Sequence, residues 1–183
     1  MILHRSHIPN KNYLMAALAF LVSCSIGGPL REDVKATQIQ LAKTPKNWTS
    51  QKPAEDKDAE GADAVFKDRG TQALIALNST CFRYESTSLD RLAHQYESGL
   101  KDSETLEESE VTVDGRRAVR LRLKGDFDGV ASEILVTVLR KNDCLFDFSM
   151  VGKSPLSSDS IESFDGWVQG FRYGNSSEKK DNP

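Results

Sequence analysis

Histidine is scarce in this chain: three among 183 residues, and two of those, His4 and His7, fall in the first seven positions. Only His94 is left for the body of the protein, which argues against a histidine triad or a multi-histidine metal site built within one chain. Also missing are a Cys-x-x-Cys pair, a Gly-x-Ser-x-Gly elbow and a glycine-rich phosphate loop. Basic residues do not outnumber acidic ones: 24 Lys and Arg stand against 27 Asp and Glu, a net charge of −3. No basic patch is dense enough to follow a nucleic acid backbone, so no nucleic acid partner is expected. No cofactor and no metal are implied either. Long apolar runs are absent too. The longest, Tyr13 to Val22, falls well short of the roughly 20 residues that a spanning helix requires.

What is present begins at the N-terminus. His4, Arg5, His7 and Lys11 make a polar, positive start, the apolar run follows, and Leu21-Val22-Ser23-Cys24 closes it. This segment resembles a bacterial lipoprotein signal, its Leu-Val-Ser-Cys tetrapeptide matching the lipobox. The resemblance implies a signal peptide over 1–23 and acylation of Cys24 as the first mature residue. An ordinary secretory signal with a chance cysteine is the competing reading. Losing Arg5 and Lys11 leaves 22 basic against 27 acidic residues, so attachment to the membrane would come from lipid on Cys24 and not from surface charge. Ser25, in place of aspartate, resembles enteric-type sorting to the outer membrane, facing the periplasm.

With Cys24 assigned to lipid, Cys81 and Cys144 remain, an even pair in an oxidising compartment. A disulfide between them is the expectation; buried reduced thiols or a redox pair are the alternatives.

Residues 24–46 read as a polar tether, with Gly27-Gly28-Pro29 near its start. Trp48 marks the first docking residue, and Lys52 to Asp63 reads as an exposed charged loop. A single domain is expected over 47–174. Ala64-Val65-Phe66 opens the folded text, and Ala73 to Asn78 reads as a central strand covered on both faces. Leu89, Leu92, Tyr96 and Leu100 predict an amphipathic helix of three to four turns, with Thr87 or Ser88 as cap. Glu104, Glu107, Glu108 and Glu110 read as a polar connection. Period-two alternation follows from Val111, with turns at Asp114-Gly115, Asp128-Gly129 and Asn142-Asp143 separating four strands. Ser157, Ser158 and Asp159 can cap a last helix whose apolar face is Ile161, Phe164, Trp167 or Val168, and Phe171. Residues 175–183 read as a disordered tail. The order predicts an α+β fold: an antiparallel sheet of about six strands with helices packed on it.

No catalytic set emerges. His94 reads as a solvated helix residue. Asp126-x-Asp128-Gly129 fits a turn better than a calcium loop, because no glutamate stands at the last ligand position. The four glutamates offer an acid pair only if two were desolvated. Two features suit binding. The stripe Arg116, Arg117, Arg120, Arg122 and Lys124 recurs at strand period on one sheet face from Arg120 on, and could meet an acidic partner; an ordinary wet sheet face is the plainer reading. The aromatic end (Phe146, Phe148, Met150, Phe164, Trp167, Phe171) is core, or else an apolar groove.

Trp48 before a long loop, the strand into Asn78-Ser79-Thr80-Cys81, the Asp114-Gly115 hairpin, the Asp143-Cys144 strand and the closing Ser163-Phe164…Gly170-Phe171 helix together resemble the Mog1/PsbP-like sandwich, which includes DcrB-like bacterial lipoproteins. The resemblance implies an αβα sandwich acting as a non-catalytic accessory subunit on a membrane or envelope complex. It carries no ligand residues onto this chain. The sequence-level expectation is therefore a lipid-anchored binding subunit with a protein partner. A carrier for a small apolar or lipidic ligand is the alternative, and a hydrolase with an unrecognised acid pair is a third reading.

Overall fold

The computed structural model describes residues 39–51, 62–82 and 86–174. The signal segment, Cys24, the tether to residue 38, most of the charged loop and the tail from 175 lie outside the described residues. Seven strands form one antiparallel sheet: β2 (Trp48–Gln51), β3 (Ala64–Asp68), β4 (Leu74–Cys81), β5 (Lys101–Val113), β6 (Arg116–Phe127), β7 (Val130–Lys141) and β8 (Cys144–Lys153), in the order β2-β3-β4-β8-β7-β6-β5. Two more, β1 (Ile39–Gln40) and β9 (Arg172–Tyr173), pair with each other. Helix α1 (Leu89–His94) continues as a 3-10 turn, Gln95–Gly99, and α2 is Ser158–Gln169.

The hairpins β5–β6, β6–β7 and β7–β8 turn through Asp114-Gly115, Asp128-Gly129 and Asn142-Asp143. Both residues of each pair have positive φ, the left-handed geometry that matches strand twist in two-residue loops. Because β4 joins β8 and not β5, the chain leaves β4 through α1, reaches the far edge of the sheet at β5, and returns strand by strand to close beside β4.

Alternation along these strands makes two cores. On one face Phe66, Ile75, Leu77, Leu135, Leu139, Phe146, Phe148 and Met150 pack against Phe164, Trp167 and Val168 of α2. On the other, Val119, Leu121, Leu123, Ile134, Val136 and Val138 meet Leu89, Leu92, Ala93 and Leu100 from the α1 side. Ser88 caps α1 through Arg91 N, and Ser157 caps α2 through Ser160 N.

Some sequence expectations change. The acidic stretch is no connection: Glu104 to Glu110 belong to the 13-residue edge strand β5. They escape the period-two signal because an edge strand here is exposed on both sides for most of its length, so no residue need be apolar. The α1 segment is helical for its expected span, but its second half tightens to 3-10. Ile39–Gln40, read as tether, pair with Arg172–Tyr173, and Ala42 packs against Gly170 so closely that a Cβ there would clash with its methyl. The sheet has seven strands where about six were expected.

Candidate functional site

Cys81 and Cys144 are register partners on β4 and β8 and are joined by a disulfide, with the Tyr173 hydroxyl 3.2 Å from the Cys144 sulfur. The bridge ties the central strand pair at its end.

The aromatic end packs ring on ring. Trp167 stands edge-on to Phe148, Phe66 and Trp48 at 5.5, 5.5 and 5.7 Å, and Phe171 contacts Phe146 and Phe148 at 4.9 and 5.0 Å. These residues are core, so they give no support to an apolar ligand groove.

The basic stripe divides. Arg116 and Lys124 are exposed, while Arg120 and Arg122 are partly buried and paired. The Arg122 guanidinium donates to Glu133 at 2.6 and 3.0 Å. Glu133, only 2% exposed, also accepts from Ser154 Oγ and the Leu156 N–H. Burial pushes this carboxyl up, but the Arg122 cation and these donors outweigh it and hold its pKa below the usual range. Arg120 lies on the α2 face. Its Nε and Nη2 donate to both carboxylate oxygens of Asp165 on α2 at 3.0 and 3.1 Å, and its Nη1 donates to Glu107 on β5 at 2.7 Å. A free cationic stripe is therefore not what the fold presents. Even-numbered arginines recur on one face as expected, but carboxylates from α2, β5 and β7 meet the two central ones.

Around Arg120 a groove of about 360 Å³ remains where the flank of α2 meets the outer strands; it is lined by Glu107, Ser109, Val111, Thr137, Val168 and Gln169, with Arg120 and Asp165. Its floor is a cross-strand row, Ser109 opposite Arg120 opposite Thr137. Sequence reasoning missed Thr137 and Asp165. The only trace of Thr137 is a hydroxyl interrupting the apolar run Ile134 to Leu139.

The glutamates do not converge. Glu107 faces the α2 side, while Glu108 and Glu110 face the α1 side, where they meet His94 and Arg117. His94 is not simply solvated: its Nδ1 lies 2.7 Å from Glu97, whose hydrogen bond raises its pKa, with Glu108 adding to the effect. Among the described residues no group of three or more His, Cys, Asp or Glu side chains is arranged to hold a metal ion, and no helix is long and apolar enough to cross a membrane.

One half-buried acid stands apart. Asp147, between Phe146 and Phe148 on β8, turns to the α1 face, in register with Asn78 and Val138. Burial alone pushes its pKa up to about 7. The Tyr96 hydroxyl nearby hydrogen-bonds Ser149, and its own pKa is raised by burial and by the Asp147 charge.

No family model and no curated protein sequence matches this chain. Solved structures do share its fold. LpqN of Mycobacterium tuberculosis, described as involved in cell envelope biogenesis, superposes with a TM-score of 0.54 at 13% identity, over 75% of this chain and 83% of its own. Cyanobacterial PsbP (CyanoP) of Synechocystis sp. PCC 6803 gives 0.51 at 15% identity, over 81% of this chain and 99% of its own. A protein of Bacteroides thetaiotaomicron VPI-5482 gives 0.53 at 12% identity over 78% of this chain, which spans about half (47%) of that longer protein. At such identities what is shared is the fold: a PsbP-like α+β sandwich.

Proposed function

We propose that this protein is a lipid-anchored, non-catalytic accessory domain of the bacterial envelope that binds a protein component of a membrane-associated assembly. The lipobox-like Leu21-Val22-Ser23-Cys24 supports the anchor, and Ser25 supports an outer-membrane, periplasm-facing position. The shared fold of LpqN, which is described as involved in cell envelope biogenesis, agrees with that setting.

The observation that carries the binding role is the groove beside α2. Its ionisable groups, Arg120, Glu107 and Asp165, are committed to one another in short hydrogen bonds. That arrangement suits recognition. A general base or nucleophile would instead need a poised, unengaged group next to a substrate position.

Two measurements test the reading. Mass spectrometry of protein from its native membranes should find an acylated polypeptide beginning at Cys24, and Cys24→Ala should move it to the soluble fraction. Mild cross-linking and purification of the acylated protein should then retain a stoichiometric envelope partner. A full-length, unmodified chain, or acylated protein that retains no partner, would overturn it.

A further inference from the structure

We propose that the groove between α2 and strands β5 to β7 is a receptor for one basic side chain, a lysine or arginine of the partner protein. The inference rests on the partner-binding role above and specifies its chemistry.

Thr137 is the first reason. It is 1% exposed and lines the groove in the cross-strand row beside Arg120. A valine would fit the apolar strand β7 equally well, whereas a threonine lining the groove offers it a hydroxyl donor and acceptor. A hydroxyl at this point makes sense if something entering the groove bonds to it. Ser109, in the same cross-strand row on the other side of Arg120, offers a second hydroxyl.

Charge is the second. The groove holds one cation, Arg120, between two carboxylates, Asp165 and Glu107, and is thus left with a net charge of −1. An anionic ligand would deepen the imbalance and face both carboxylates. One entering cation closes it, giving two positive and two negative groups in alternation. Asp165 uses its two oxygens on Arg120 but keeps a free lone pair on each, and Glu107 has a second oxygen unengaged by Arg120, so acceptors remain for an ammonium or guanidinium.

The third reason is shape. Val111 and Val168 supply apolar flanks to the groove, as the methylene stem of a long basic side chain requires while its charged head reaches polar partners.

The test uses the full chain and defined peptides. Amide signals of Ser109, Thr137 and Gln169 are followed by NMR as acetyl-Val-Lys-Val-amide is added, then its norleucine counterpart, its glutamate counterpart, and pentylamine as a free amine. The lysine peptide should give saturable shifts at these three residues, with the norleucine and glutamate peptides at least tenfold weaker. Glu107→Gln, at an exposed position, should weaken lysine-peptide binding about tenfold, and the near-isosteric Thr137→Val about three- to tenfold, the ranges for a charge-assisted and a neutral hydrogen bond. Circular dichroism checks that both variants are folded. Equal binding of the norleucine peptide, unchanged affinity in both variants, or preference for the glutamate peptide overturns the proposal. So does pentylamine binding with no peptide binding, which would make this a small-amine site. If the lysine peptide fails while native membranes still yield a partner, the inference falls and the binding role stands; a bound peptide without any native partner is the reverse.

Discussion

Replacing Asp147 by asparagine should stabilise the protein, and only on the alkaline side. Asp147 sits on the central strand β8, facing the α1 side with Asn78 and Val138 as register neighbours, and burial raises its pKa from 3.8 to about 7. No hydrogen bond offsets that burial. An acid whose pKa rises on folding holds its proton more tightly in the native state than in the unfolded one. The native state is therefore favoured at low pH, and stability falls as pH climbs from about 4 to about 7, then levels off. Three pH units correspond to about 4 kcal/mol, and the residue's remaining access to water lowers the expected figure to about 2–4 kcal/mol. The amide of the Asp147→Asn variant would keep the shape and have no charge to desolvate. Urea unfolding of both proteins at pH 4.5 and pH 8 isolates the effect, since every other titrating group, His94 included, is common to the pair. The difference should be small at pH 4.5, and the variant should be more stable by about 2–4 kcal/mol at pH 8. A difference independent of pH, or a variant less stable at pH 8, would refute the desolvation argument and mean that the carboxylate has a favourable partner.

The disulfide encloses a separation of 63 residues, so replacing Cys81 and Cys144 by serine should lower the unfolding free energy by about 4 kcal/mol, seen as a drop in urea midpoint that reducing agent reproduces in the wild type. Glu133→Gln leaves the Arg122 guanidinium beside a neutral amide and should cost about 2–4 kcal/mol at pH 7. Because the Glu133 pKa is lowered, the wild type keeps this stability above the ordinary carboxylate range and loses it as pH falls through the depressed value; acid unfolding curves of the two proteins should therefore converge at low pH. Trp167→Ala removes the ring on which Phe148, Phe66 and Trp48 converge and should cost about 3–5 kcal/mol, with collapse of the near-ultraviolet circular dichroism.

Period and turn chemistry carried most of the fold. Alternation through Val119, Leu121 and Leu123 put those side chains on one face, and the three Asp/Asn-containing turns are hairpins because such residues tolerate the left-handed conformation. The steps Phe164, Trp167, Val168 and Phe171 named the buried side of α2 and its end. The part of β5 before Val111 stayed hidden because its pairing energy lies in backbone hydrogen bonds to β6, to which side-chain hydropathy is blind. The α1 segment was legible as a helix, but its tightening to 3-10 after His94 was not, since both helix types can bury the same Leu89, Leu92 and Leu100.

What the linear chain determines by itself is local: which residues alternate, which cap, which turn, and which short segment looks like an export and lipidation signal. Each of those follows from a residue's own backbone preferences and its near neighbours. Only the tertiary structure decides what meets Arg120. Glu107 comes from a strand 13 residues earlier and Asp165 from a helix 45 residues later, and they converge because β5 pairs with β6 while α2 packs on the sheet face that carries Arg120. The same convergence turns a stripe that reads as free positive charge into a groove with a negative remainder, since the charge of a site is set by the residues that fold around it and not by those beside it in sequence.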